Sequence, residues 1–194
     1  ILYFAFPLLL GNLFQQLYNL ADSIIVGKTL GIDALASVGA SGSLNFLILG
    51  FCTGLCSGFA IPVAQTFGAK EYSLMRRYVV NAMALAAGIS IVFAVVTALF
   101  CRQILVLIRT PENILDGAYR YLIIIFIGIP FTVLYNLAAG ILRSLGDSKS
   151  PFLFLAISTI INIIGDLMCI LVFGMGVEGA AISTIVAQAI SGIC

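Results

Sequence analysis

Residues 152–173 read FLFLAISTIINIIGDLMCILVF, twenty-two residues with a single charge, Asp166. A bilayer-spanning helix needs about 20 mostly apolar residues, roughly 17–25, so this stretch predicts a transmembrane helix. Turn chemistry bounds it on both sides: Gly-Asp-Ser-Lys-Ser-Pro at 146–151 and Gly-Met-Gly-Val-Glu-Gly at 174–179. Working outward, charges and turn residues mark further segments at about 1–26, 34–65, 79–100 and 121–142, and a shorter one at 179–194. Helices joined by short loops are antiparallel neighbours. The expectation is therefore a single all-α integral membrane lobe over 1–194, with five full helices and a truncated sixth. The second segment is longer than a bilayer requires and should tilt, bend at Pro62 or project beyond the membrane.

Composition points the same way. Only 9 Lys or Arg and 8 Asp or Glu occur in 194 residues, 9% charged against about 25% in a soluble domain. Mean hydropathy is +1.20. A soluble fold of this size cannot hide so much apolar surface, which excludes a soluble enzyme, a disordered tail and a secreted disulfide scaffold. A net charge of +1 without a basic run gives no reason to expect nucleic acid. The five cysteines include no CxxC and there is no His, so zinc and redox motifs are absent and the cysteines read as small apolar residues. Ile1 and Cys194 both lie in apolar runs, and the chain reads as a piece of a longer multi-pass protein of the cell membrane. The first segment has no basic n-region and carries Asn12, Gln15 and Gln16, so it is no signal peptide.

Lys70, Arg76, Arg77, Arg143 and Lys149 fall on one side of the membrane, and Lys28, Arg102, Arg109 and Arg120 on the other. The five-to-four excess favours the first side as cytoplasmic, and Arg76, Arg77, Arg143 and Lys149 read as anchors or orientation signals. Gly50, Gly54 and Gly58 form a stripe that should let the second helix pack closely inside the bundle, with dimerisation as the second reading. Pro7, Pro62 and Pro130 each remove a backbone hydrogen bond, so each is a candidate kink or hinge. Asn19 to Asp22 followed by Gly31, and Asn162 to Asp166 followed by Gly176, echo one another as if the first and third hairpins were built alike.

The chemistry concentrates on two acids away from the loops, Asp22 and Asp166. A charge at the bilayer centre costs about 2.5–3.5 kcal/mol on insertion scales, so such residues face the bundle interior or water. Their neighbours are polar at helical spacing. Asn12, Gln15, Gln16, Asn19, Asp22 and Ser23 share one face of the first helix, and Ser158, Asn162, Gly165, Asp166 and Cys169 one face of the fifth. Thr132, Tyr135 and Asn136 in the fourth segment, with Thr184, Gln188 and Ser191 in the sixth, add two more stripes. Four stripes suggest one wet cavity between the helices, with structural interhelical hydrogen bonds as the rival account. Two carboxyls facing one cavity are coupled. Such a pair can carry a proton, or hold a small cation such as Na+ with the oxygens of Asn162 and Thr184.

Taken together these motifs resemble the multidrug and toxic compound extrusion (MATE) transporters. Gln16-x-Tyr18-Asn-Leu-x-Asp22 with Gly27 and Gly31 resembles the family's first hairpin. Gln65-x-x-Gly68-Ala-Lys resembles the end of its second helix. Arg143-Ser-Leu-Gly-Asp147, Asn162-x-x-x-Asp166 and Gly174-Met-Gly-Val-x-Gly-Ala-Ala-x-Ser-Thr184 resemble its fifth and sixth helices. The pattern lies closest to the prokaryotic, DinF-like or NorM-like branch. The resemblance implies a twelve-helix protein of two six-helix lobes, of which this is the N-terminal one, with a cytoplasmic amino terminus. It also implies alternating access and export of organic, often cationic compounds in exchange for H+ or Na+. It assigns ion coupling to Asp22, Asp166, Asn162 and Thr184, with Tyr18 beside the first acid and Pro7 as the bending proline.

The function expected is secondary active efflux, with the coupling ion, H+ or Na+, at Asp22, Asn162, Asp166 and Thr184 and no other cofactor. Substrate is expected between the lobes, against Gln16, Asn19, Tyr135, Asn136 and Gln188, with Phe4 and Tyr18 as further aromatic wall and an acid balancing its positive charge. The expected partners are membrane lipid, a small organic substrate and the second lobe. One alternative is a flippase for lipid-linked or polysaccharide precursors, which should show a strongly basic cavity, whereas the intramembrane charges here are acids. A membrane-embedded transferase would want His or interfacial acids near a nucleophile. A channel fits the kinked, polar-striped helices less well than alternating access.

Overall fold

The helices run well past the charges that bound the apolar segments. The structure, a computed structural model, describes residues 2–193, and the side chains of 2–5, 7, 8, 12 and 18 lie outside that description. The side chains expected at the hinge (Pro7), beside the first acid (Tyr18) and in the aromatic wall (Phe4) fall among them. The helices are α1 (Leu2–Leu30), α2 (Ile32–Gly68), α3 (Tyr72–Leu107), α4 (Glu112–Ile127), α5 (Ile129–Ser144), α6 (Lys149–Leu167) and α7 (Val177–Ile193), with a π-helical turn at Met168–Val172 after α6. No strand occurs among the described residues. α2 and α3, of 37 and 36 residues, are each about 55 Å long at 1.5 Å per residue, against a hydrocarbon core of about 30 Å. Their ends therefore stand in the headgroups and water, where charged side chains interrupt the hydropathy but not the helical hydrogen bonds.

The connections shrink accordingly. The expected loop over 27–33 is one residue, Gly31, whose φ of 90° lets the chain reverse at a backbone conformation costly for other residues. The expected single helix at 121–142 is two, α4 and α5, meeting at 50° around Gly128 with Pro130 in the first turn of α5. Gly128 is required by closeness, since a Cβ there would sit 2.3 Å from Ile185 Cγ1 on α7. α2 by contrast runs unbroken through Pro62. α2, α3 and the rod Lys149–Val172 are each long and apolar enough to cross a membrane, and α4 with α5 qualifies as a bent span. The chain is a multi-pass membrane lobe.

Its packing is that of a membrane bundle. The buried face of α3 is Ala82, Ala86, Ser90, Ala94, Thr97, Cys101 and Leu105, mostly small residues that let backbones approach. Phe46, Leu47 and Leu99 are more than two-thirds exposed, as side chains facing lipid should be. The inner face of α2 runs through Ser41, Leu44, Ile48, Cys52, Cys56, Ala60 and Val63. The Gly50, Gly54 and Gly58 stripe is exposed on the opposite side, and a Cβ at any of them would meet nothing within 4 Å. The expectation that it packs inside the bundle is thus corrected. The close approach to α2 comes instead from Gly140 of α5, whose added Cβ would touch Ala60.

With α4 and α5 as one bent span, the antiparallel course puts the α2–α3 and α5–α6 connections at one end and α1–α2, α3–α4 and α6–α7 at the opposite end. An exposed ion pair there, Arg120 to Glu178 at 3.3 Å, ties α4 to the start of α7. The two echoing hairpins differ in build: α1 joins α2 through Gly31 alone, whereas α6 reaches α7 through the π turn and a further bend.

Candidate functional site

The polar stripes do not converge on one wet cavity. They divide between a sealed cluster and an open chamber.

The cluster lies where α6 packs between α1 and α7. Asp166 and Asn162, one turn apart on α6, are fully buried, and Asp22 of α1 and Ser183 of α7 nearly so. The Asp22 and Asp166 carboxyls stand within hydrogen-bonding reach of each other. The Ser183 hydroxyl contacts Asp166 Oδ1. The surroundings orient the Asn162 amide, an assignment made from its neighbours. Nδ2 donates to Asp166 Oδ2 at 3.2 Å, and its oxygen faces the Thr184 backbone N–H at 3.2 Å and the Ser183 hydroxyl at 3.1 Å. Thr184 turns its own hydroxyl back to the Ala180 carbonyl at 2.9 Å.

Glycine sets this closeness. A Cβ on Gly165, beside Asp166, would lie 2.8 Å from Ser183 Cβ, and one on Gly179 would lie 2.9 Å from Cys169 Cβ. The α6–α7 contact therefore exists because the sequence leaves those side chains out.

Counting donors shows what the cluster can do. Ser183 has one proton and three candidate acceptors: Asp166, the Asn162 oxygen and the Ala180 carbonyl at 3.1 Å. Ionised carboxylates only accept, so a hydrogen bond between Asp22 and Asp166 requires a proton on one of them. Asp22 Oδ1 is buried without any partner, a state that costs about 1–3 kcal/mol or more for a charged group. The cluster is short of positive charge and donors. A proton would satisfy it, and so would a small hard cation, because every available group is oxygen. Among the described residues no group of three or more His, Cys, Asp or Glu forms a site for a larger metal.

The chamber, about 730 Å³, opens between α1, α2, α5, α6 and α7, within the range that takes a drug-sized molecule. Tyr135, Asn136 and Gln188 line it with Thr132, Thr53, Ser57 and Ser144. Gln15 represents α1 there. Gln16 and Asn19 are exposed on the surface of the lobe and do not line the chamber. Thr132 donates to Gln188 and so ties α5 to α7 across its wall, while Asn136 Nδ2 is spent within α5 on the Thr132 carbonyl at 2.8 Å. Thr184 of the cluster and Gln188 of the chamber are one turn apart on α7.

Ser183 escaped the sequence reading, which took Thr184 as the polar partner because Thr184 shares a stripe with Gln188 and Ser191. Ser183 belongs to the small-residue face Gly179, Ala180, Ser183 and Ala187, all buried. A small-residue face opposite Gly165 was the available signal.

Comparison with known proteins agrees with this architecture. The family model described as MatE matches residues 7–168. The probable multidrug resistance protein YoeA of Bacillus subtilis is 36% identical over 189 residues, covering 94% of this chain and 40% of the relative. YpnP of the same organism, also a probable multidrug resistance protein, is 36% identical over 188 residues, covering 97% and 42%. A solved outward-facing multidrug resistance MATE family transporter of the MOP superfamily superposes with a TM-score of 0.90 at 26% identity, covering 97% of this chain and 42% of that one. The chain thus spans about two-fifths of the length of the curated relatives it matches.

Proposed function

The chain belongs to the MatE family, and from that premise we propose that the protein containing this lobe is a secondary active exporter of organic amphipathic compounds, driven by inward movement of H+ or Na+. One observation carries the proposal: two buried carboxyls in reach of each other, one with an orphaned oxygen, in a cluster short of donors. A structural polar contact would be expected to satisfy its atoms. A site that alternately takes and releases a cation has one state in which they are not satisfied.

In this reading Asp22 and Asp166 bind the ion. Asn162 and Ser183 hold Asp166 in place and Thr184 fixes the Asn162 amide. The ion drives transport through a different affinity for the inward-open and outward-open arrangements, since equal affinity would shift nothing. The chamber receives the substrate. The names of YoeA and YpnP support the multidrug assignment.

The test is efflux of a fluorescent substrate by the full-length protein in everted vesicles, under a proton gradient alone or a sodium gradient alone. Asp22→Asn and Asp166→Asn should each reduce gradient-driven efflux at least tenfold while leaving substrate binding in place. Unchanged efflux in Asp166→Asn under both gradients would sink the proposal.

A further inference from the structure

We infer that the chamber is an oxyanion site: Arg143 holds the carboxylate or phosphate of an amphipathic ligand there. This rests on the export reading for its substrate class, but it runs against the cationic cargo that the family resemblance implies.

The electrostatics of the wall carry it. Arg143 is the one charged side chain among the described residues that line the chamber, and no acid lines it. Asp22 and Asp166 belong to the sealed cluster and are not part of this wall. Asp147, the acid nearest in the chain, is already committed. It accepts from the backbone N–H groups of Lys149 and Ser150 at 3.0 Å and from the Ser150 hydroxyl at 2.5 Å. Those Ser150 bonds hold its carboxyl below the usual range, so it stays ionised at the start of α6. The Arg120–Glu178 ion pair leaves Arg143 out, and no described carboxylate stands within ion-pair distance of Arg143.

The donor inventory agrees. Arg143 Nε donates to the Ala139 carbonyl at 2.9 Å, which pins the guanidinium to the last turn of α5 and leaves both terminal nitrogens for another group. The hydroxyls of Thr53, Ser57 and Ser144 are spent on backbone carbonyls. Gln188, whose Oε1 accepts from Thr132, sits about 16 Å from Arg143 along α5 and is not its partner. The planar fork by itself matches a carboxylate or phosphate, which takes two parallel N–H bonds. A cationic ligand would find no acid in the wall, only neutral oxygens, the Tyr135 and Phe152 rings and a repelling charge. An arginine serving only as a membrane anchor would do so equally well on a lipid-facing side, whereas this one shares its space with Tyr135, Asn136 and Gln188. One guanidinium is also short of the strongly basic cavity that a pyrophosphate carrier requires.

The oxyanion can come from a substrate or from a phospholipid headgroup, and the experiment separates them. The full-length protein is placed in nanodiscs of phosphatidylcholine, with or without phosphatidylglycerol. Binding of carboxyfluorescein and of the cationic rhodamine 6G is read by fluorescence polarisation. Arg143→Gln should weaken carboxyfluorescein at least tenfold and Arg143→Lys by less, while rhodamine 6G binding holds or tightens as the repelling charge is lost. If phosphatidylglycerol competes with the dye and is retained by the wild type but lost from Arg143→Gln in native mass spectrometry, the site stands with lipid as its occupant. The inference is overturned if carboxyfluorescein fails to bind the wild type, binds Arg143→Gln equally, or weakens together with rhodamine 6G. Gradient-driven rhodamine 6G efflux in the same protein keeps the export reading apart. It can persist when the anion site fails, and its loss with anion binding intact counts against export alone.

Discussion

Asp22 and Asp166 were legible from the sequence because a carboxyl inside a bilayer is expensive and few reasons justify it. Asn162 followed from helical spacing. Ser183 did not, because a serine among alanines looks like packing until the opposite helix is known to place a carboxyl against it. Its role is testable as a positioning residue. Removing its hydroxyl should cost a hydrogen bond to a charged group, about 1.5–3 kcal/mol. Ser183→Ala is therefore expected to reduce gradient-driven efflux roughly threefold to tenfold and to move the pH profile of efflux by about one unit, with ligand affinity unchanged. A merely structural serine would lower the yield or melting temperature and leave the profile in place. Gln15 shows the limit of stripe counting. It and Gln16 are adjacent, about 100° apart around a helix, and only the neighbouring helices decide which faces the chamber.

At the scale of elements, the number of spans was readable and their shapes less so. Hydropathy continues smoothly from 121 to 142 through the bend at Gly128, because an apolar window cannot tell a straight helix from a broken one. The Gly-Ile-Pro sequence at 128–130 was the visible hint. Gly128→Ala should destabilise the lobe by about 1–3 kcal/mol, as overpacking does. The companion change Ile185→Ala should recover part of that loss in a double-mutant melting cycle, because the added Cβ lands on the Ile185 side chain. Additive losses would show that the bend, and not the contact, requires the glycine. The glycine stripe on α2 was misread because small residues at four-residue spacing suit any close partner, and lipid accepts such a face as readily as a helix does. Nothing in the sequence signalled the π turn at Met168–Val172. It leaves the helix end just beyond Asp166 with longer i→i+5 bonding, as helices often show near functional residues.

For the molecule as a whole, charge sorts by end. The end with the α2–α3 and α5–α6 connections carries five basic residues and two acids, Glu71 and Asp147. The other carries four basic residues and four acids, Asp33, Glu112, Asp116 and Glu178. The first end should face the cytoplasm. Cysteine substitutions at exposed Ser73 and exposed Glu112 check this. In intact cells an impermeant maleimide should label Glu112→Cys and spare Ser73→Cys, over a low background because Cys52, Cys56 and Cys101 are buried and Cys169 is half-buried. The reverse pattern would invert the topology. The shared use of α7 has a further consequence. Thr184 and Gln188 are about 6 Å apart along one rigid rod, so an ion that tightens the cluster and a ligand that engages the chamber pull on the same body. Any preference that one occupant has for a given position of α7 is then felt by the other. Thermodynamic linkage makes the effect reciprocal: the factor by which the ion weakens the ligand must equal the factor by which the ligand weakens the ion.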